Sequence, residues 1–270
     1  IQGDFHVAGI AGSFYTPTNV TGNITSCKNY GAVSVDNANY NHSRWSYVGG
    51  IIGHFGCNGK VESCENHGNV TCTRFSSSDG TKRMGGIVGN ADNKTYTNCK
   101  NYGTIKEVSK SNAVDIGGII GRSNIDNTTV SGCYNYGDII CENTSTTTTY
   151  TSNNKTSNYW ITMGGIVGRV NKSGFVLTNC HCEKDCVLKN TNTATKEIMG
   201  GTIGFGSVKS TVTNCSSKPT VTNSNTEATR SGVFGGAWVS GFTITSCSAG
   251  GKYGETTLTA QNYTTYCFGS

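Results

Sequence analysis

The sequence has few charged residues, few prolines and little methionine or tryptophan. Of its 270 residues 14% are charged, and it contains 2 prolines, 3 methionines and 3 tryptophans. Low charge combined with many Thr, Ser and Asn residues is typical of extracellular β-proteins and less so of cytosolic enzymes. The apolar residues nevertheless recur at regular positions, and this regularity argues against a disordered chain.

Several kinds of segment are also missing from the sequence. The net charge is +5, but no dense run of Lys and Arg is present, so we expect no nucleic-acid partner. No apolar run approaches the roughly 20 residues of a membrane-spanning helix, so we expect no membrane insertion. No segment combines a 3.6-residue period with helix caps, so we expect almost no helix.

A two-part phrase occurs seven times along the chain. Its clearest copy is Met-Gly-Gly-Ile-Val-Gly at residues 84–89, followed by Thr-Asn-Cys-Lys-Asn-Tyr-Gly-Thr-Ile at residues 97–105. The cysteine recurs after 37, 35, 34, 47, 35 and 32 residues, and a period of this length indicates stacked repeats. The cysteines of this series are Cys27, Cys64, Cys99, Cys133, Cys180, Cys215 and Cys247.

The second half of the phrase predicts short strands around a corner. An Asn, Ser or Gly residue stands directly before each cysteine, and these residues tolerate tight corners. From the cysteine onward the chain alternates between apolar or small residues and longer polar ones. We therefore predict that Cys99, Asn101 and Ile105 face inward, and that Lys100 and Tyr102 face outward.

The first half of the phrase, Gly-Gly-Ile-Val-Gly, is interpreted as one further strand whose glycines permit close backbone approach. Two or three short strands per repeat would form one coil. We predict an all-β fold, a single parallel β-solenoid of about seven repeats over residues 1–270, with coils ~4.8 Å apart. The Thr-, Ser- and Asn-rich residues 142–159 are expected to form an exposed insertion. The sequence starts inside the first repeat at Ile1, so we expect a segment of a longer or processed chain.

The two-part phrase resembles the GLUG-type repeat of bacterial surface proteins. Such repeats occur in adhesin-like proteins and beside the peptidase unit of some IgA-cleaving enzymes, and they resemble β-helical coils. The resemblance covers nearly the whole chain and is weakest in the seventh repeat. It implies an extracellular or cell-surface location and a role in adhesion or scaffolding, and it supplies no catalytic residues. The His-Glu-x-x-His zinc helix of such a peptidase is absent from the sequence.

The cysteine series forms a predicted ladder of buried, mostly reduced thiols, because free cysteine behaves as a small apolar side chain. Disulfides are the alternative, and the cysteines outside the ladder are the better candidates for them. Zinc is a second alternative at Cys180, His181, Cys182 and Cys186, but the predicted register turns His181 away from the thiols. We expect no metal site and no cofactor. The cysteines outside the ladder are Cys57, Cys72, Cys141, Cys182, Cys186 and Cys267.

A second structural row is expected from asparagines two residues after the ladder cysteines. In register, each side-chain amide would bond to the amide of the next coil, and the row would satisfy polar groups that are costly to bury singly. The asparagines of this row are Asn29, Asn66, Asn101 and Asn135.

The candidate partner-binding row lies on the outward side of the same strands. Solvent-facing aromatic residues could stack on sugar rings or contact a protein partner, and the alternative is packing between neighbouring strands. The row comprises Tyr30, His67, Tyr102, Tyr134 and Tyr136.

We accordingly expect a non-enzymatic extracellular module, adhesin-like or stalk-like, that binds a glycan or a protein. One alternative is a self-assembling filament subunit that associates end to end through exposed strand edges. Another is a carbohydrate-active β-helix enzyme. Catalysis is not expected, because no carboxylate pair recurs near an outward Lys or Arg.

Overall fold

The computed structural model confirms an all-β parallel β-solenoid. The structure describes residues 1, 5–16, 20–35, 45–73, 81–108, 113–143, 149–152, 155–158, 160–183, 185–191, 196–223, 229–231, 234–237, 242–253 and 256–257. Within these residues there is no helix, and none could therefore cross a membrane.

The strands are short and follow one another in the same order in every coil. In the first three coils they are β1 (His6–Ala8), β2 (Ala11–Tyr15), β3 (Ile24–Thr25), β4 (Lys28–Asn29), β5 (Val33–Val35), β6 (Ser46–Gly49), β7 (Ile52–Gly56), β8 (Lys60–Glu62), β9 (Glu65–Asn66), β10 (Val70–Cys72), β11 (Lys82–Gly85), β12 (Val88–Ala91), β13 (Thr95–Thr97), β14 (Lys100–Asn101) and β15 (Ile105–Glu107). The fourth and fifth coils contain β16 (Val114–Gly117), β17 (Ile120–Ser123), β18 (Thr129–Ser131), β19 (Tyr134–Asn135), β20 (Ile139–Cys141), β21 (Thr149–Ser152), β22 (Lys155–Asn158), β23 (Trp160–Gly164), β24 (Val167–Val170), β25 (Phe175–Thr178), β26 (His181–Cys182) and β27 (Val187–Asn190). The last coils contain β28 (Lys196–Gly200), β29 (Ile203–Gly206), β30 (Ser210–Thr213), β31 (Ser216–Ser217), β32 (Thr220–Asn223), β33 (Thr229–Ser231), β34 (Phe234–Ala237), β35 (Thr243–Thr245), β36 (Ser248–Ala249), β37 (Lys252–Tyr253) and β38 (Thr256–Thr257).

Equivalent strands of successive coils pair in parallel and build five long sheets. We name them by their place in the cross-section. The first inner sheet is β1-β6-β11-β16-β23-β28-β33, and the second inner sheet is β2-β7-β12-β17-β24-β29-β34. The first outer sheet is β3-β8-β13-β18-β25-β30-β35, the closing sheet is β4-β9-β14-β19-β26-β31-β36, and the second outer sheet runs from β5 to β37 with β38 added antiparallel at its edge.

The glycine-rich half of the phrase is a turn between two strands. In the third coil β11 ends at Gly85 and β12 begins at Val88, so Gly86 and Ile87 connect the two inner sheets. A Cβ atom on Gly86 would overlap Asn101 of the closing sheet and the carbonyl of Gly118 in the next coil. The prediction of one strand here is wrong, and each coil has five strands instead of two or three. The reason is that apolar residues on both sides of the turn face different cores.

The two inner sheets lie against each other through backbone contacts. A Cβ atom on Gly121 of the second inner sheet would lie 2.6 Å from the carbonyl oxygen of Gly89 and 2.6 Å from the amide nitrogen of Met84. This spacing admits glycine alone, because any larger side chain would separate the sheets. The apolar side chains of the inner sheets therefore point away from each other.

Two hydrophobic cores follow from this arrangement. The first lies between the second inner and first outer sheets and contains Val88 and Tyr96. The second lies between the first inner and second outer sheets and contains Met84 and Ile105. Each fully buried aliphatic side chain contributes roughly 1.5–3 kcal/mol, and both cores run along the stacked coils.

The corner between the first outer and closing sheets forms where the sequence predicts it. Ser63 and Asn98 both have a φ of 54° and Gly132 has a φ of 62°, in the left-handed region. The predicted alternation is confirmed after this corner, where Cys99, Asn101 and Ile105 are buried. The other corner residues with positive φ are Ser26, Asn179, Asn214 and Ser246.

The insertion carries an antiparallel hairpin. Strands β21 and β22 pair from Thr149↔Asn158 to Ser152↔Lys155. The other parts of the predicted insertion at 144–148, 153–154 and 159 lie outside the described residues.

Candidate functional site

The aromatic row forms a continuous stack on the closing sheet. The ring centroids of Tyr30 and His67 are 4.7 Å apart, those of His67 and Tyr102 are 4.6 Å apart, and those of Tyr102 and Tyr136 are 4.8 Å apart. The planes of these pairs differ by 15° or less. Tyr134 extends the row sideways, with its ring 6.1 Å from that of Tyr136.

This stacking determines what the row presents to solvent. The rings of His67 and Tyr102 have an aromatic neighbour on both faces. Sugars bind aromatic residues through the apolar ring face, and at these two positions the faces are already in contact with protein rings. The row therefore offers ring edges and hydroxyl groups. Glu65 adds ion pairs beside it, 3.0 Å from Nζ of Lys28 and 3.1 Å from Nε2 of His67.

The structural ladder of cysteines lines the first core. The Cys99 amide N–H donates to Sγ of Cys133 at 3.4 Å, and the Cys133 amide donates to Sγ of Cys180 at 3.4 Å. Each thiol in turn donates to a carbonyl, as Cys133 does to Ser131 at 3.4 Å. Burial raises the pKa of the Cys133 thiol well above its ordinary value. Cys64, Cys99, Cys133 and Cys180 are free thiols, and Cys27 and Cys247 at the two ends are partly exposed.

The structure separates the residues of the proposed zinc alternative. Cys180 lies in the first core, whereas Cys182 and Cys186 lie in the second. His181 points outward, where its Nδ1 is 2.7 Å from Oγ of Ser216. Within the described ranges, no group of three His, Cys, Asp or Glu side chains could hold a metal ion. Cys267 lies outside the described residues.

The asparagine row is continuous over four coils. Nδ2 of Asn29 donates to Oδ1 of Asn66, that of Asn66 to Asn101, and that of Asn101 to Asn135, each at 2.8 Å. The same Nδ2 atoms donate to the carbonyl two residues later, as Asn101 does to Gly103 at 2.9 Å. The row ends at the fifth coil, where Asn135 meets the sulfur atoms of Cys182 and Cys186.

A polar seam, which the sequence analysis did not detect, lies between the two inner sheets at the end away from the glycine turns. Equivalent side chains of the first inner sheet form one wall, and those of the second inner sheet form the other. The first wall contains His6, Tyr47, Arg83, Asp115 and Thr162. The second wall contains Ser13, His54, Asn90, Arg122 and Arg169.

The seam opens to solvent as a cleft of about 790 Å³ in the first four coils. This volume falls within the roughly 300–1,000 Å³ of small-ligand sites. Two of its aromatic side chains are well exposed, Trp45 at 55% and Tyr15 at 60%. The lining residues are Phe5, His6, Tyr15, Trp45, Tyr47, His54, Arg83, Asp92 and Asn124.

One wall of the cleft holds a hydrogen-bonded chain of three side chains. Nε2 of His54 lies 2.7 Å from Oδ2 of Asp92, and Oη of Tyr15 lies 2.7 Å from Nδ1 of His54. The carboxylate accepts the proton of Nε2, and the tyrosine hydroxyl donates to the same ring, with Oη 2.7 Å from Nδ1 and 2.9 Å from Nε2. Burial, then the charge of Asp92, raises the pKa of Tyr15, so this phenol stays protonated and acts as a donor.

His6 and Tyr47 close the top of the cleft. Their rings stack with centroids 4.6 Å apart, and the Tyr47 ring also meets His54 edge-on at 4.9 Å. Burial and the neighbouring His54 lower the pKa of His6. This imidazole is therefore neutral at physiological pH.

Arg83 forms the floor of the cleft and is 4% exposed. Its guanidinium carbon lies 5.0 Å from the Trp45 ring and 4.8 Å from the Tyr47 ring. Nη1 donates to Oη of Tyr47 at 3.1 Å and to Oδ1 of Asn90 at 2.5 Å. Burial, and then the nearby Arg122 cation, lower the pKa of Arg83 to about 10, while Tyr47, Asp115 and Asp92 act in the opposite direction, so it remains charged at neutral pH.

Beyond the cleft the seam is filled by an ion pair. Nη2 of Arg122 lies 2.6 Å from Oδ2 of Asp115, and Thr162 donates to Oδ1 of Asp115 at 2.7 Å. These two charges are paired inside the protein. Neither Arg122 nor Asp115 belongs to the lining of the cleft. A sequence signal for the seam does exist, because a polar residue stands two positions before the double glycine, as Tyr47, Arg83 and Asp115 do.

The chain is a parallel β-solenoid with a cleft along the polar seam between its two inner sheets. Comparison with protein-family models, with curated proteins and with solved structures found no match to the chain.

Proposed function

We propose that this β-solenoid is a non-enzymatic glycan-binding module that acts at a cell surface or in the extracellular space, and that the cleft is its binding site. The observation that carries the proposal is the pairing of exposed Trp45 and Tyr15 with buried polar groups on one concave surface. Aromatic faces take the apolar side of a sugar ring, and directed donors and acceptors take its hydroxyl groups.

The polar groups of the cleft suit this ligand. Asp92 and Asn124 supply acceptors, while Arg83 supplies donors. Asp92 Oδ1 is buried and has no hydrogen-bond partner among the described residues. A sugar hydroxyl could donate to this oxygen after a small rearrangement and would satisfy it.

The aromatic row is less suited to sugar stacking, because its inner rings stack on each other. The proposal therefore moves the glycan site from the row to the cleft and keeps the row as the contact surface for a protein partner. The surface location and adhesin-like role rest on the resemblance to GLUG-type repeats, and they are part of the proposal.

The proposal is for binding without hydrolysis. Glycoside hydrolases use two carboxyl groups on either side of the scissile bond. The described lining of the cleft has one, Asp92. The His54–Asp92 pair is the observation that favours an enzyme as second candidate, and release of reducing ends or unsaturated sugars from incubated polysaccharides would support that candidate.

The test is a glycan array with wild-type protein, followed by titration of the best ligand against three variants. Trp45→Ala and Tyr15→Ala should each weaken binding by on the order of tenfold. Tyr30→Ala removes a still more exposed aromatic ring outside the cleft and should leave affinity unchanged. Loss of binding in Tyr30→Ala with normal binding in Trp45→Ala would place the site on the aromatic row instead.

A further inference from the structure

We infer that the cleft selects glycans that carry a carboxylate and that Arg83 binds this group. The inference rests on the proposed glycan-binding function and adds the chemical class of the ligand. It starts from the contrast between two arginines of neighbouring coils that occupy the same polar seam.

Arg122 has a carboxylate in direct contact, whereas among the described residues no carboxylate lies within ion-pair distance of Arg83. The charges of Asp115 and Asp92 act on Arg83 from a longer distance. The Arg122 guanidinium lies 2.6 Å from the carboxylate of Asp115. Within the described part of the chain, no carboxylate forms an ion pair with Arg83, and its two hydrogen-bond partners, Tyr47 and Asn90, are neutral. Buried charges in proteins are normally paired, because an unpaired buried charge is strongly unfavourable.

The nearest acidic group of the cleft does not fill this role. Oδ2 of Asp92 accepts hydrogen bonds from Nε2 of His54 at 2.7 Å and from Nδ2 of Asn90 at 3.1 Å. Nε of Arg83 is buried and has no hydrogen-bond partner among the described residues. Among the described residues, the guanidinium thus has no carboxylate in direct contact and retains an unused donor at the floor of an open cleft.

A carboxylate is the anion that fits this arrangement. The guanidinium fork binds a planar carboxylate through two parallel hydrogen bonds. Trp45 lies over the guanidinium and is 55% exposed. A sugar that stacks on Trp45, or displaces it, brings an attached carboxylate to Arg83. Hexuronates and sialic acids share this chemistry, and the ligand comparison below distinguishes them.

The first experiment uses matched ligands on the unaltered protein, so it does not depend on the folding of a variant. Calorimetry at low salt compares a galacturonate trisaccharide with its methyl ester, and sialyllactose with lactose. We expect one acidic sugar to bind at least about tenfold more tightly than its neutral partner. Equal affinity for the acid and the neutral sugar would overturn the inference but leave glycan binding in the cleft intact. Absence of binding to any glycan on the array would overturn both.

The second experiment assigns the preference to Arg83. Arg83→Gln should abolish the difference between acid and neutral sugar, and Arg83→Lys should retain part of it, because the charge remains while the fork is lost. Lys28→Gln is the control that removes one positive charge from the closing sheet, outside the cleft; it should preserve the full preference. An unchanged preference in a folded Arg83→Gln protein would rule out Arg83 as the carboxylate-binding residue.

Discussion

Nδ2 of Asn66 donates to Oδ1 of Asn101 on the neighbouring coil at 2.8 Å, and both side chains are fully buried. The same contact continues to Asn135 at 2.8 Å. The amide row lies against the glycine turns, as shown by the overlap that a Cβ on Gly86 would make with Asn101. The row therefore links successive coils in register beside these turns.

Asn101→Ala is expected to lower the free energy of unfolding by about 2–4 kcal/mol, because Asn135 Oδ1 loses its donor and the Gly103 carbonyl loses another inside the protein. Asn29→Ala at the end of the row is the matched control and should cost about 1–2 kcal/mol, because Asn29 has an amide neighbour on one side. Urea unfolding followed by circular dichroism measures both. Equal losses would show that the row does not act cooperatively.

The double change Tyr102→Ala and Tyr136→Ala should lower stability by about 1–3 kcal/mol without altering glycan affinity, because stacked rings between coils are lost. Thermal unfolding and calorimetry give the two values. Weaker glycan binding at unchanged melting temperature would instead support the row as the glycan site.

Ser63→Gly should raise stability by about 0.5–1 kcal/mol, since Ser63 has a φ of 54° that costs a non-glycine residue energy. Thr71→Gly is the control within strand β10 and should lower stability by a similar amount. The midpoints of urea unfolding test this prediction. A lower midpoint for Ser63→Gly than for the unaltered protein would contradict backbone strain at this corner.

Stability should fall as pH rises above 9, the ordinary thiol pKa. The folded state raises the pKa of Cys133 through burial, so this thiol stays protonated when folded and ionises when unfolded. The contribution of each such thiol to the free energy of unfolding is complete below pH 9. Above pH 9 this contribution decreases by about 1.4 kcal/mol per pH unit.

This prediction is tested by the midpoint of urea unfolding, measured at pH 7.5 and at pH 9.5, on either side of the ordinary thiol pKa. Cys133→Ala removes one thiol of the ladder and should reduce the slope, even though the variant itself is less stable at neutral pH. A slope identical to that of the unaltered protein would show that Cys133 does not contribute.

Local patterns in the sequence were sufficient for the solenoid, the corners and the inward rows. The period of the cysteines indicates stacking, the alternation from Cys99 to Ile105 identifies the buried face, and a Ser, Asn or Gly marks each left-handed corner. These features repeat in every coil, and in-register stacking places equal residues beside each other. A period and an alternation are therefore enough to predict them.

Tertiary structure alone decided the turn at Gly86, the two separate cores and the cleft. The apolar residues around Gly86 face different cores only because the chain reverses there, and a short apolar run does not reveal the reversal. The cleft is lined by side chains that change from coil to coil. At one register position, for example, the second coil has Tyr47 and the third coil has Arg83. The repeating features can thus be predicted from the sequence. The cleft depends on non-repeating side chains that only the packing of two sheets brings face to face.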